Sequence, residues 1–496
     1  MSALADLRAY VRPIRLWESA AALGHWDQQT NLPPRGVEAR AAVVGQLERA
    51  AFDRVISRQL ADLLQAAERE LAGASQVERA MVAHWRREHR RKRAVPPELY
   101  QQWVEACSRA HPAWREARAT AEFGRFRPYL EKIVDLTRRL ADHLGFEESP
   151  YDALLEESEP GMTAGKLRQI MAPLRADLVP FLRRLGDAGR PPAPLPAGPY
   201  PADAQRELAR RALTAIGYDF SAGRLDDSAH PFTVGLGPGD VRITNRYCPD
   251  SPLPGLFGAL HEGGHALYGQ GLDPDLAWTG LDSGASAGMH EAQARLWENQ
   301  VGRSPAFWQA FHGQLEELFP HLRGLGPQRM WQAACRVRPS PIRVEADEVT
   351  YNLHICVRFE LEVELIEGRT QVGDLPRRWR EAMEEYLGVV PANDAEGVLQ
   401  DVHWSGGMFG YFPSYLLGNL YAAQIAARAR QDLPHLDQDL SCGDAGPLRS
   451  WLTDQVYRWG RTVGPEELLQ KITGEGPSPR PFLTYLKDKY SRSHRL

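Results

Sequence analysis

Cysteine is scarce in this chain. Cys107, Cys248, Cys335, Cys356 and Cys442 are spread over 496 residues. They are odd in number, widely spaced and form no C-x-x-C pair. That excludes a disulfide framework and a zinc knuckle, and it fits a reducing, cytoplasmic setting. The chain also lacks an apolar run of the roughly 18 residues that a membrane span requires. Asp6 and Arg8 stand where a signal peptide would need an apolar core. Neither sign of charge prevails. Lys plus Arg is 59 against 64 Asp plus Glu, so the net charge is −5, which argues against nucleic acid as the main partner. The densest basic run, Arg86 to Arg93, has no interleaved aromatics. It reads as a solvated helix face that ends before Pro96-Pro97.

What is present is an ordinary globular composition, 43% hydrophobic and 25% charged, long enough for a large core. Residues 1–180 read as long helices, with Leu60, Leu63, Leu64 and Leu71, and then Leu136, Leu140 and Leu144, at helical spacing. Residues 189–201 (GRPPAPLPAGPYP) form a rigid, extended connector rather than a domain boundary. His230 to Thr233 and Asp240 to Thr244 read as two short strands joined by a Gly/Pro turn. From Leu256 onward the pattern is again helical. We therefore expect one catalytic unit over 1–496, with a helical N-terminal part at about 1–190 and a metal-site part at about 202–496.

The most informative stretch is His261-Glu262-Gly263-Gly264-His265, an H-E-x-x-H pentad inside an apolar helix. Four residues turn a helix through about 400°, so the two imidazoles point nearly the same way and can grip one metal ion. Glu262 lies beside them, within reach of a water on that metal. The same letters on a solvated amphipathic helix would mean nothing. Here Leu256, Phe257, Leu260 and Leu267 make the surroundings apolar, where two unpaired histidines would be costly. The Gly pair costs a plain helix roughly 1 kcal/mol per residue relative to Ala. A helix that must admit a close neighbour or a substrate backbone has a use for it. A catalytic zinc needs a third protein ligand. Glu291 and Glu298 both qualify, with His290 adjacent, and spacing does not separate them. Two histidines, a base and a downstream carboxylate describe a zinc hydrolase.

Six ordered blocks carry a resemblance: DVRITNRY, HEGGHALY, MHEAQARLWENQVG, IRVEADEVTYNLHI, LQDVHW and GYFPSYLLGNLYAAQ. Together with Trp26-Asp27-Gln28 and YDALLEESEPG they make the chain similar, over nearly its whole length, to the thermostable carboxypeptidase Taq (M32-type) metallocarboxypeptidases. The resemblance implies His261, His265 and Glu291 as metal ligands, choosing Glu291 over Glu298, and Glu262 as general base. It implies a mainly α fold, a helical ellipsoid with a deep active-site groove and a small β-sheet beside the metal helix, like neurolysin and angiotensin-converting enzyme. It also implies a homodimer and one divalent ion, with zinc expected and cobalt usable. Three departures stand out. Ala292 and Ala294 replace two usual serines, Asn245 stands where Thr is usual, and Gly263 where a larger residue is common. The lost hydroxyls question the hydrogen bonding around the ligands.

The expected activity is release of single residues from peptides with a free C-terminus, with broad side-chain tolerance. The oxyanion needs an aimed donor, for which His403 and Tyr411 are suited, Tyr415 less so. Arginine suits a terminal carboxylate. Arg343 is the first choice and Arg242 the second, although ion pairs with Glu345, Asp347 or Asp240 compete. Asp347 and Glu348 are alternatives for orienting ligands. An endo-acting oligopeptidase would use the same centre. The intact His261, Glu262, His265 and Glu291 argue against a catalytically dead peptide-binding scaffold.

Overall fold

The computed structural model describes residues 2–187 and 191–496. The chain is mainly α-helical with one three-stranded sheet among the described residues. The N-terminal helix, Ala3–Thr30, begins where the Ser2 hydroxyl accepts a hydrogen bond from the Ala5 amide. Leu4, Leu7, Val11 and Ile14 then recur at helical spacing and bury one face against Val55, Leu60 and Leu64. Leu60 and Leu64 lie in the helix Arg58–Glu68, whereas Leu71 falls in a short 3-10 turn beyond it. Leu136 and Leu140 bury the inner face of the helix Phe123–Leu144. The basic run lies in the helix Gln76–Ala94, where Arg86 pairs with Glu68 and Arg87 and Lys92 with Glu88. None of the described helices is long and apolar enough to cross a membrane.

Two compact units divide the chain, each assembled from three segments. The first takes the chain up to Arg93, then Leu195–Ala334 and Ile425–Gly476. The second takes Ala94–Pro194, Cys335–Gln424 and Pro477–Leu496. The Pro-rich stretch, read from the sequence as a connector, thus contains one of the handovers, between Pro194 and Leu195. Gly189 and Arg190, its first two residues, lie outside the described residues. From Pro191 to Tyr200 the chain has no regular structure, and Tyr200 packs on Phe319 and His321 before the helix Ala202–Ile216 begins.

In the first unit the sheet has the order β1-β3-β2, with β1 Leu225–Asp227, β2 Phe232–Gly237 and β3 Asp240–Asn245. β3 matches the second strand expected from the sequence, whereas β2 starts two residues later than the first and runs on through Gly235-Leu236-Gly237 of the expected turn, so the antiparallel pair reverses at Pro238-Gly239. β1 runs parallel to β3 and was not expected, because Leu225-Asp226-Asp227 has no alternating pattern. β2 lies at an edge, and its register shifts between Gly235 and Gly237. Both β2 and β3 pack on the helix Leu253–Gln270, which carries the pentad.

Candidate metal centre

The pentad helix buries Leu256, Phe257, Leu260 and Leu267. His261 and His265 stand on one side, with ring centroids 5.0 Å apart and planes at 88°. A second helix, Ala287–Arg295, is capped by the Ser286 hydroxyl and delivers Glu291. Glu291 Oε2 lies 3.7 Å from His261 Nε2 and 3.6 Å from His265 Nε2. One ligand atom from each of the three residues falls within 4.8 Å of the others. Ligands about 2.0–2.2 Å from a tetrahedral ion lie roughly 3.3–3.6 Å apart, so the two glutamate–histidine spacings fit a single ion with little adjustment. Two imidazole nitrogens and one carboxylate oxygen are also a donor set typical of a hydrolytic metal site.

Gly264 is what lets the two helices come this close. A Cβ there would lie 2.4 Å from Gln293 O and 2.7 Å from Ala294 Cα. Both are backbone atoms that cannot swing aside. Gly263 faces Leu213 and Ile216 on the other flank. Gly264→Ala is therefore expected to push the Glu291 helix away. The cost is at least the ~1–3 kcal/mol of overpacking, read as a lower denaturant midpoint together with weaker ion binding. Unchanged stability and unchanged binding would show that the helices have slack.

The outer face of each imidazole is held as well. Glu298 Oε2 lies 2.9 Å from His261 Nδ1, and His290 Nδ1 lies 2.7 Å from His265 Nδ1. The Glu298 carboxylate keeps the His261 proton on Nδ1 and leaves its Nε2 lone pair turned toward Glu291; His290 does the same for His265 when its own Nδ1 is the acceptor. Burial, with help from His265 and Arg461, depresses the His290 pKa to about 3, so its ring is neutral and carries one acceptor nitrogen. Burial opposes the ionised forms of Glu291 and Glu298. Arg295 and the histidines nevertheless hold Glu291 below the usual carboxylate range, and Arg303 and Arg295 do the same for Glu298. Arg295 Nε reaches Glu291 Oε1 at 2.7 Å, and Arg303 Nη1 reaches Glu298 Oε1 at 2.6 Å while its guanidinium covers the Phe257 ring. Burial also opposes a charged His261, but Glu291 and Glu298 raise its pKa overall.

Glu298 thus meets the outer nitrogen of His261, whereas Glu291 meets the inner nitrogens of both histidines. Ala292 and Ala294, where hydroxyls were missed, are fully buried, and the outer hydrogen bonds come from Glu298 and His290 instead. Glu298→Ala is expected to weaken ion binding about 10- to 100-fold in competition with a chelator. An unaltered affinity would show that His261 needs no such support.

Glu262 is 6% exposed. Its Oε2 accepts a hydrogen bond from Thr233 Oγ1 at 2.7 Å. That hydroxyl also lies 2.9 Å from the Glu262 carbonyl, which ties β2 to the pentad helix. Thr233 was visible in the sequence only as a strand residue. Arg242 forms a two-bond pair with Asp240, at 2.8 Å each, and stacks on Trp26 at 4.4 Å.

The remaining candidates belong to the second unit. Arg343 is nearly buried and pairs with Asp401, not with the Glu345 or Asp347 that sequence proximity suggested. Asp347 instead caps the helix Glu348–Ile366, and Glu348 binds Lys489. Arg358, fully buried, takes the other oxygen of Asp401 at 2.6 Å. Two guanidinium groups therefore share one carboxylate. His403 Nε2 lies 3.2 Å from the Tyr415 hydroxyl, and its ring lies 6.1 Å from that of Tyr411. Burial, reinforced by Arg343 and Arg358 and opposed by Asp401, lowers the His403 pKa to about 4, so the ring is neutral near pH 7.

Sequence reasoning missed Glu362, which organises the loop carrying these residues. Tyr151 Oη, Trp404 Nε1 and the Gly410 amide all donate to it, at 2.6, 2.8 and 3.2 Å. Burial pushes its pKa up to about 7 against those bonds. Two glutamates, Glu362 and Glu364, alternate with apolar residues there (LEVELI), and nothing in the letters singles out the first.

Comparison with known proteins places the whole chain in one family. The family model for carboxypeptidase Taq (M32) metallopeptidases matches residues 6–490. Thermostable carboxypeptidase 1 of Thermus thermophilus is 42% identical, covering 99% of this chain and 98% of its own length. Carboxypeptidase 1 of Bacillus subtilis is 38% identical, covering 98% and 97%. Among solved structures, the M32 carboxypeptidase from Deinococcus radiodurans superposes with a TM-score of 0.97 at 38% identity over 100% of both chains. Trypanosoma cruzi metallocarboxypeptidase 1 gives 0.95 at 32% over 98% and 99%.

Proposed function

The chain belongs to the carboxypeptidase Taq (M32) metallopeptidase family, and from that premise we propose that it is a zinc-dependent carboxypeptidase. It releases single residues of varied side chain from peptides with a free C-terminus, and the whole chain, 1–496, acts as one catalytic unit. The observation that carries this reading is the convergence of His261, His265 and Glu291 with Glu262 beside them. A divalent ion held by those three would supply a Lewis acid that lowers the pKa of a bound water and polarises the scissile carbonyl. Zinc suits two imidazoles and one carboxylate, and cobalt is a serviceable substitute.

The protein's own groups have distinct tasks. Glu262 accepts the proton of the attacking water and returns it to the leaving amine. Thr233 fixes the Glu262 carboxylate for that exchange. Neutral His403 and Tyr411 are assigned as donors to the developing oxyanion. Arg343 is assigned to the substrate's terminal carboxylate. The pair of guanidiniums on Asp401 supports this, because it leaves one positive charge without a counter-charge. Arg242 is the weaker choice, since Asp240 pairs with it alone, whereas Arg343 shares its Asp401 with Arg358. A homodimer in the cytoplasm completes the proposal; all five cysteines are free, as a reducing compartment would keep them.

Matched peptides with a free and an amidated C-terminus test the reading. Loss of hydrolysis on amidation, and on chelation with recovery by added zinc, is the expected result. Cleavage indifferent to the amide would make the protein an endo-acting oligopeptidase. Cleavage indifferent to chelation would remove the metal from the mechanism.

A further inference from the structure

Three non-glycine residues among those described have positive φ: Ala121, Trp278 and Arg495. Ala121 and Arg495 are helix C-caps, where that conformation is ordinary. Trp278, at φ +61°, is not a helix cap. A bulky residue held there calls for a reason. The surroundings hold it firmly. Its amide donates to Asp282 Oδ2 at 3.0 Å, and Arg15 of the N-terminal helix holds the other Asp282 oxygen at 3.2 Å. The next residue, Thr279, is fully buried, and its carbonyl accepts from Trp85 Nε1 at 2.7 Å. The indole itself lies over the end of β2. A Cβ on Gly237 would come within 2.6 Å of it.

The indole lines a cavity of about 1070 Å³ that Thr233 and His265 also line. One space therefore runs from Thr233 and the His265 flank of the candidate metal centre to Trp278, with Gly235 and Leu236 of β2 between them. Thr233 contacts Glu262, and Gly237 lies four residues farther along the strand, roughly 13 Å at ~3.3 Å per residue. A carboxypeptidase releases only one residue beyond the bond it cuts. That residue is too short to reach so far, so whatever touches Trp278 comes from upstream of the scissile bond. β2 is an edge strand on which an extended peptide can lie. The Ser19 hydroxyl donates to the Leu236 carbonyl and so occupies the strand's acceptor at that point. Past it, recognition passes from backbone to side chain, where the indole stands.

We propose that Trp278 determines specificity upstream of the cleaved bond. Its indole walls a subsite for an aromatic or large aliphatic side chain three to four residues before the scissile bond. This rests on the carboxypeptidase reading and adds a selective position to an otherwise tolerant enzyme.

The test uses the zinc-loaded full chain and alanine peptides ending in Leu, with one Phe placed at each upstream position in turn. The readout is the ratio of kcat/KM for each Phe peptide to the all-alanine parent, measured from first release of Leu. A wild-type ratio of roughly 3- to 10-fold is expected only at the third or fourth position, the size of an aromatic contact. In Trp278→Gly the ratio there should fall to near 1, and Trp278→Phe should keep part of it. Glycine adopts φ +61° without strain, so the backbone has no cause to move. Taking the ratio within one enzyme cancels any loss of folded protein. A flat wild-type profile, or a preference that survives Trp278→Gly, overturns the proposal. No release of Leu from any peptide would instead overturn the carboxypeptidase reading, and this inference with it.

Discussion

Glu262→Gln is expected to lower kcat roughly 100- to 10,000-fold while one ion per chain stays bound. The amide is isosteric with the carboxylate, and its oxygen can still accept the hydrogen bond from Thr233 Oγ1. It cannot take a proton from water. General acid–base catalysis is worth about 10²–10⁴ in rate, which sets the size of the loss. Glu262 does not belong to the cluster of possible ion ligands, so the ion should remain. Initial rates, with metal content measured on the same preparation, decide the matter. Undiminished turnover would place the proton acceptor elsewhere. Loss of the ion along with turnover would make Glu262 a structural support for the site rather than its base.

Glu291→Ala should act by the opposite route, emptying the site. Structural zinc sites are worth roughly 10–16 kcal/mol, so one ligand of three carries about 3–5 kcal/mol, a factor of several hundred or more in affinity. The variant also takes from Arg295 a partner at 2.7 Å beside two imidazoles, which makes the pocket more positive and less welcoming to a cation. The contrast with Glu298→Ala is the informative part. Glu298 contacts the outer nitrogen of His261 and is expected to cost only 10- to 100-fold. Competition titrations against a chelator should rank wild type above Glu298→Ala, and Glu298→Ala well above Glu291→Ala. If the two glutamates weaken binding equally, the division into ligand and orienting partner is wrong.

Fold and site were legible in the sequence to different depths. The apolar spacing of the N-terminal helices, the strands β2 and β3 and the pentad helix follow local rules, and the structure has them. β1 was hidden because a three-residue strand leaves no periodic trace. Family-like blocks placed the candidate residues along the chain but said nothing of their contacts. Arg343 illustrates this. Its nearest acidic neighbours in sequence are Glu345 and Asp347, yet its partner is Asp401, which only tertiary folding brings within 2.8 Å. Glu362 and Thr233 were equally silent, because a hydrogen-bond hub has no sequence pattern of its own.

The pairing of His261 with His265, and the nearness of Glu262 to both, were settled by the letters alone. Residues one, three and four apart on a helix have a fixed angular relation whatever surrounds them. Which glutamate faces which imidazole nitrogen was decided by packing. It depends on Gly264 admitting the backbone of the Glu291 helix, and on the π-helical turn Leu296–Val301, which alters the rotation that carries Glu298 to the outer side of His261. Trp278 belongs with these. No spacing rule announces a left-handed tryptophan, because that backbone is held by Asp282 and Arg15, the latter from a helix hundreds of residues away in the chain. Local geometry is written in short-range periodicity; contacts between distant segments are set by how closely their surfaces can approach.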